Sequence, residues 1–202
     1  MIINENNLGN YIIPEDVFGG ICIDIGANNG NFVKQNYSRF KEIYAYEPIK
    51  ILYEKILNFN IDNVKVFNEA VSDNIGETQI IFHTNTETGS SSIRETIDNV
   101  IVLKNDWTND IINKVKSVDL ETVINRTGSK YIDYLKMDCE NSEFLILLNK
   151  DLSKIKYIGI ELHNQMGKNN WDELKDWVSN THLGFPDYNG HYHEVLLINK
   201  NL

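Results

Sequence analysis

Residues 20–30 read Gly-Ile-Cys-Ile-Asp-Ile-Gly-Ala-Asn-Asn-Gly, and this stretch decides the fold. A short β-branched run ending in glycine reads as a buried strand, and Gly26–Gly30 as a tight turn into a helix. Moving outward, Asn31–Phe40 has helical polarity, and Glu42–Glu47 (EIYAYE) is a second strand stopped by Pro48. Proline at a first helical position sacrifices only an orphan donor, so Ile49–Phe59 is expected to be the second helix. Val64–Val71 is expected to be the third strand. Strand–helix–strand–helix–strand predicts a parallel sheet with right-handed crossovers.

The middle of the chain differs. Glu77–His83 and Val100–Leu103 read as strands around a polar, turn-rich stretch, Thr84–Ser92, which predicts a small β insertion over about 77–117, lying over one end of the sheet. Leu120–Arg126 reads as a helix, Tyr134–Asp138 as a return to the sheet, and Ser142–Leu148 as the next helix. Tyr157–Leu162 is a further strand and Trp171–Ser179 a further helix. Glu194–Ile198 follows an Asn189-Gly190 turn, a hairpin signal that predicts an antiparallel C-terminal edge. The expectation is one α/β domain over residues 1–202, with a doubly wound, mostly parallel sheet; no Pro- or Gly/Ser-rich linker divides it.

Composition narrows the function classes. The 202 residues carry 19 Lys+Arg against 29 Asp+Glu, a net charge of −10, which repels phosphate backbones, so nucleic acid is not the expected partner. No apolar stretch is long enough to span a membrane, and the first residues lack the pattern of a signal peptide. Cys22 and Cys139 fit neither a disulfide framework nor a CxxC metal pattern; Cys22 reads as a small buried side chain, and a cytoplasmic setting is expected.

Open α/β sheets bind ligands beyond the carboxyl ends of their strands. The first strand delivers Asp24, Gly26, Ala27, Asn28 and Gly30 to that edge. Glu47 follows 21 residues after Gly26, at the end of the second strand, where a carboxylate can accept both hydroxyl hydrogens of a ribose. The competing reading is a plain turn, with Glu47 capping the helix behind Pro48. A dinucleotide fingerprint would need glycines where Asn28 and Asn31 stand. S-adenosylmethionine, which has an amino acid end in place of the pyrophosphate, fits better, with Asp24 and the glycine turn near that end. Ala70, Val71 and Ser72, at the third strand end, suit an adenine. A dinucleotide-dependent oxidoreductase and a non-catalytic cofactor-binding domain are the alternatives.

The fourth sheet strand ends in Lys136-Met137-Asp138-Cys139-Glu140-Asn141-Ser142-Glu143. In an extended backbone Asp138 and Glu140 would point to one side. Repelling carboxylates at a sheet end need a cation, a proton or a helix N-terminus, whereas Glu143 is expected only to ride in the first turn of a helix. Asp138, Glu140 and His163 are the candidates for a base that takes the acceptor's proton. His191 and His193, two apart, could join Asp138, Glu161 or His163 in an O/N metal site, but no compact ligand motif exists and no metal is expected.

Taken together, residues 24–30, Tyr46-Glu47-Pro48, Glu69-Ala70-Val71-Ser72-Asp73 with Gly76, Gly89-Ser90-Ser91-Ser92, Leu135–Glu140 and Ile160-Glu161-Leu162-His163 resemble the successive blocks of FkbM-type methyltransferases, in that family's order. The resemblance implies a Rossmann-like class I fold and methyl transfer from S-adenosylmethionine, often to an oxygen of a sugar or another small metabolite. Ser90, Ser91, Ser92 and Glu161 are then candidates for the acceptor site. One departure is Asn141, where the family has glycine.

Overall fold

The computed structural model describes residues 11–82, 91–94 and 111–202. It opens with β1 (Ile21–Ile25), α1 (Asn31–Asn36), β2 (Glu42–Tyr46), α2 (Lys50–Leu57) and β3 (Val64–Phe67). Next come β4 (Ala70–Ser72), β5 (Gly76–Phe82), β6 (Ser91–Arg94), β7 (Ile111–Asp119) and α3 (Leu120–Arg126). The rest is β8 (Ile132–Met137), α4 (Glu143–Leu147), β9 (Ile155–Leu162), α5 (Gly167–Val178), β10 (His182–Leu183) and β11 (His193–Asn199).

Among the described residues the strands form two sheets. The larger has the order β10-β11-β9-β8-β1-β2-β3. Strands β9, β8, β1, β2 and β3 run parallel, and β11 is antiparallel to both β9 and β10. The chain builds outward from β1 through β2 to β3, then returns to place β8 on the other side of β1. Strand order therefore reverses between β1 and β8, which opens a crevice at their carboxyl ends.

Alternation along the strands divides the core. Ile21, Ile23, Ile25, Tyr44 and Tyr46 pack on one face with Val123 and Ile124 of α3, Ile146 and Leu147 of α4, and Trp171, Leu174 and Val178 of α5. Cys22, Ile43 and Ala45 face the other side, with Phe32 and Val33 of α1 and Ile56 of α2. The period of two in the strands thus meets helices on both faces. Cys22 is fully buried and free, as its apolar setting predicts.

The structure corrects three local expectations. The single strand over Val64–Val71 is two strands in two sheets: β3 beside β2, and β4 beside β7. Asn68 makes the break, its side-chain amide donating to the carbonyls of Glu47 and Pro48 at 3.0 and 2.9 Å. The second sheet has the order β4-β7-β5-β6, so the mid-chain β insertion does not stand alone but shares a sheet with β4. Asn189-Gly190 does not directly join two paired strands. It sits inside the longer β10–β11 connection, where Asn189 Oδ1 accepts the His191 N–H. The strand expected over residues 100–103 and most of the 84–92 stretch lie outside the described residues.

Candidate active site

The β1 turn is fixed by the protein's own backbone. Gly26 has φ +76°, and a Cβ there would stand 1.9 Å from the carbonyl oxygen of Asp138. The N–H groups of Gly26 and Ala27 both donate to the Tyr46 carbonyl, and Asp138 N–H donates to that of Ile25. Glycine is required because the ends of β1 and β8 meet there. Asn28 follows at φ +51°, a conformation asparagine tolerates better than most side chains. Gly30 (φ +79°) lets α1 start against Ile56 and Phe59, which its Cβ would strike.

Beneath this turn lies a buried ion pair. Lys136 Nζ is 3.1 Å from Asp24 Oδ1, donates to the Gly26 carbonyl at 2.7 Å, and stands 4.0 Å from Asp138 Oδ2. Burial works against the ammonium, but the charges of Asp24 and then Asp138 hold its pKa above the ordinary lysine value. Asp24 is thus the counter-ion of a lysine that ties down the turn.

An open cleft of about 620 Å³ runs over these strand ends, lined by Ile25, Gly26, Asn28, Tyr46, Glu47, Pro48, Ile49, Leu52, Glu69, Ala70, Val71, Asp138, Cys139 and Glu140. Glu47 is 4% exposed. Its Oε2 accepts the Asn28 N–H at 2.7 Å and its Oε1 the Ile49 N–H at 2.8 Å. Burial pushes its carboxyl up to about 7, opposed by those two hydrogen bonds. Glu47 therefore does brace the approach to α2, which starts at Lys50, two residues later than a helix with Pro48 at its first position. Each carboxylate oxygen keeps a second lone pair for a ligand hydroxyl.

The donor set suits S-adenosylmethionine. A hydroxyl-accepting carboxylate, the apolar walls of Ile25, Ile49, Leu52 and Val71, and the acid Asp138 match a ribose, a flat base and a cationic end respectively. Among the described residues, no positive side chain lines the cleft to meet a pyrophosphate.

Beside Asp138 and Glu140 stands His163, 7% exposed, at the end of β9. Its Nδ1 donates to Glu143 Oε1 at 2.8 Å, and Glu143 is fully buried. Its Nε2 lies 3.5 Å from Glu140 Oε2 and 4.0 Å from Glu161 Oε1. Burial would push the imidazole down, yet the bond to Glu143 and the charges of Glu143, Glu140 and Glu161 push it up to about 9. Burial, with Asp138 next and His163 opposing, brings the Glu161 carboxyl up to about 7.

The structure brings Gly26, Asn28, Glu47, Pro48, Ala70, Val71, Asp138 and Glu140 into one cleft and sets others back from it. Asp24 lies under the turn, Ala27 is in the core, Gly30 caps α1, and the Ser72 hydroxyl donates to the Asn74 carbonyl. Ser91 and Ser92 fall in β6, paired with β5, and Ser90 lies outside the described residues. His193 packs on Trp171 and bonds to Asn189, apart from Asp138, Glu161 and His163.

Two readings are corrected. Asp138 and Glu140 do not share a side through extended backbone, since Glu140 and Asn141 are left-handed, at φ +50° and +77°. Asparagine holds the positive φ that glycine would hold more easily. Glu143, expected to be a bland first-turn residue, turns inward to His163. Its spacing before Phe144 and Leu145 carries no signal of that; only the buried histidine 20 residues later reveals it. Lys136 was equally hidden, being a charge in an apolar strand.

Residues 24–186 match the family described as Methyltransferase FkbM domain. No curated protein matches the chain in sequence. Among solved structures, Methyltransferase FkbM from Methylobacillus flagellatus KT is 13% identical with a TM-score of 0.51, over 93% of this chain and 48% of that one. The chain thus spans about half the length of that protein. SMU.1697c from Streptococcus mutans, in complex with SAH, is 13% identical with a TM-score of 0.48, over 92% of both chains. M. capricolum TrmK, in complex with S-adenosylhomocysteine, is 19% identical with a TM-score of 0.47, over 93% of this chain and 66% of that one. The match to the family runs from Asp24, near the end of β1, to the loop after β10, and takes in every residue that lines the cleft: the chain belongs to the FkbM methyltransferase domain family, whose methyl donor is S-adenosylmethionine.

Proposed function

We propose that the chain methylates a hydroxyl oxygen of a small acceptor, a sugar or another hydroxylated metabolite. The observation that carries this reading is the presence of Glu47, Asp138 and Glu140 in one cleft at the reversal of strand order. Glu47 binds the ribose hydroxyls, Ala70 and Val71 flank the adenine, and Asp138 faces the cationic end. When bound, S-adenosylmethionine supplies an electrophilic methyl group carried on a sulfonium.

The rest falls to the protein. An alcohol is a weak nucleophile until its proton is taken, and Glu140, at the cleft wall, takes it as the oxygen–carbon bond forms. Holding oxygen and carbon in line contributes as much as proton removal, because it removes the orientational cost of the encounter. With no ion bound, His163 carries a proton near neutral pH and is bound to Glu143, so it holds positive charge beside Glu140 rather than serving as a free base. The 29 acidic residues against 19 basic ones favour a small acceptor over a phosphate backbone.

The test is methyl-labelled S-adenosylmethionine offered with sugars, hydroxylated metabolites, amines and RNA. Label on an ether oxygen of a small acceptor supports the proposal. Label confined to nitrogen or to RNA overturns it.

A further inference from the structure

We infer that Asp138, Glu161 and His163 form a divalent-cation site at the edge of the cleft. One carboxylate oxygen from each acid and one imidazole nitrogen lie within 4.8 Å of one another. Ligand atoms around one ion at about 2.1 Å stand up to about 4.2 Å apart, so small side-chain rotations close the set.

The arrangement of His163 is the independent observation. The ring is more than nine-tenths buried, and its Nδ1 is held by the fully buried carboxylate of Glu143 at 2.8 Å. A carboxylate behind one ring nitrogen fixes the orientation of the other and raises its basicity, as outer-shell carboxylates do for metal-bound histidines. Nε2 is thereby turned to the acids, with Glu140 Oε2 at 3.5 Å and Glu161 Oε1 at 4.0 Å, both longer than an ordinary hydrogen bond. The second oxygen of Glu143 is buried with no hydrogen-bond partner. Glu194 faces Glu161 across the β9–β11 pair, which adds a further acid. Among the described residues, Lys136 stands 4.0 Å from Asp138 Oδ2 and is shared with Asp24 and the Gly26 carbonyl.

Two oxygens and one imidazole nitrogen suit Mn²⁺, Fe²⁺ or Zn²⁺. Three protein ligands leave open positions, the pattern of a site that takes water or a substrate oxygen rather than a closed structural one. Asp138 also lines the cleft, so an acceptor hydroxyl reaches an ion held there. This use of the ion rests on the proposed methyl transfer; its binding does not.

Mn²⁺ added to chelator-treated protein is followed by the electron paramagnetic resonance of the free ion. One ion per chain should leave the free signal, and bound Mn²⁺ should enhance water-proton relaxation through its open positions. Glu161→Gln and His163→Gln should each weaken uptake at least about tenfold. Both should still bind S-adenosylhomocysteine by calorimetry, since neither residue lines the cleft. An undiminished free signal at millimolar protein overturns the site. So does uptake that survives in both variants, or bound Mn²⁺ without relaxation enhancement, a wild-type measurement independent of variant folding. Mn²⁺ uptake without S-adenosylhomocysteine binding keeps the site and removes the methyl-transfer reading; the reverse result does the opposite.

Discussion

A carboxyl as buried as that of Glu47 must shed its charge or be held by donors, and here two backbone N–H groups hold it only in part. The folded-state pKa of about 7 lies above the 4.5 of an ordinary glutamate, so the native state binds this proton more tightly than the unfolded chain. Its contribution to stability is full below about pH 4.5 and is lost as pH rises through about 7. Glu47→Gln lacks that loss. Its thermal midpoint should therefore gain on wild type between pH 5 and pH 8, and parallel pH curves for the two proteins would refute the shift. The same variant should bind S-adenosylmethionine at least about tenfold more weakly by calorimetry, because charged-acceptor hydrogen bonds contribute about 1.5–3 kcal/mol each. Glu140→Gln should separate from this, keeping cofactor affinity while turnover falls about 10²–10⁴-fold. Wild-type turnover would remove Glu140 as the base.

The β1 turn and the β8 exit form one structural unit, and both Gly26 and Lys136 act through it. Gly26→Ala puts a Cβ against the Asp138 carbonyl at a backbone angle that side chains rarely adopt, so we expect a loss of about 3 kcal/mol or more in denaturant unfolding. Lys136→Met leaves Asp24 as a buried charge without its counter-ion and should cost about 3–5 kcal/mol. Near-wild-type stability in either variant would show that the turn is not so constrained. The glycines and the strand–turn–helix order were legible in the sequence, because they follow from local steric rules and from periodicity. The partners were not. That Gly26 abuts Asp138, or that Lys136 reaches Asp24, depends on the register of β1 beside β8, and residues 112 positions apart carry no local mark of adjacency. The break at Asn68 escaped for the same reason: Val64–Val71 has an unbroken strand pattern, and the side-chain bonds that end β3 run to Glu47 and Pro48.

At the scale of the whole molecule, the cleft joins the two sheets: Ile25 and Tyr46 belong to the large sheet, Ala70 and Val71 to the small one. The alternation of strands and helices made the parallel sheet predictable, and the Asn189-Gly190 turn before Glu194–Ile198 its antiparallel edge. The second sheet was not, because β4 and β7 pair across the mid-chain segment and their short runs do not announce which sheet they join. A ligand spanning both sheets binds only when both are formed and docked, so its binding free energy adds to unfolding stability by mass action. At about 100 times its dissociation constant a ligand adds about 2.7 kcal/mol. For a chain of 202 residues that should raise the thermal midpoint by roughly 5–10 °C. S-adenosylhomocysteine should produce this shift in wild type, while NAD and ATP, with phosphates that meet no positive side chain among the described residues of the cleft, should not. Equal shifts from NAD would restore the dinucleotide reading. A shift that persists undiminished in Glu47→Gln would place the nucleoside somewhere other than this cleft.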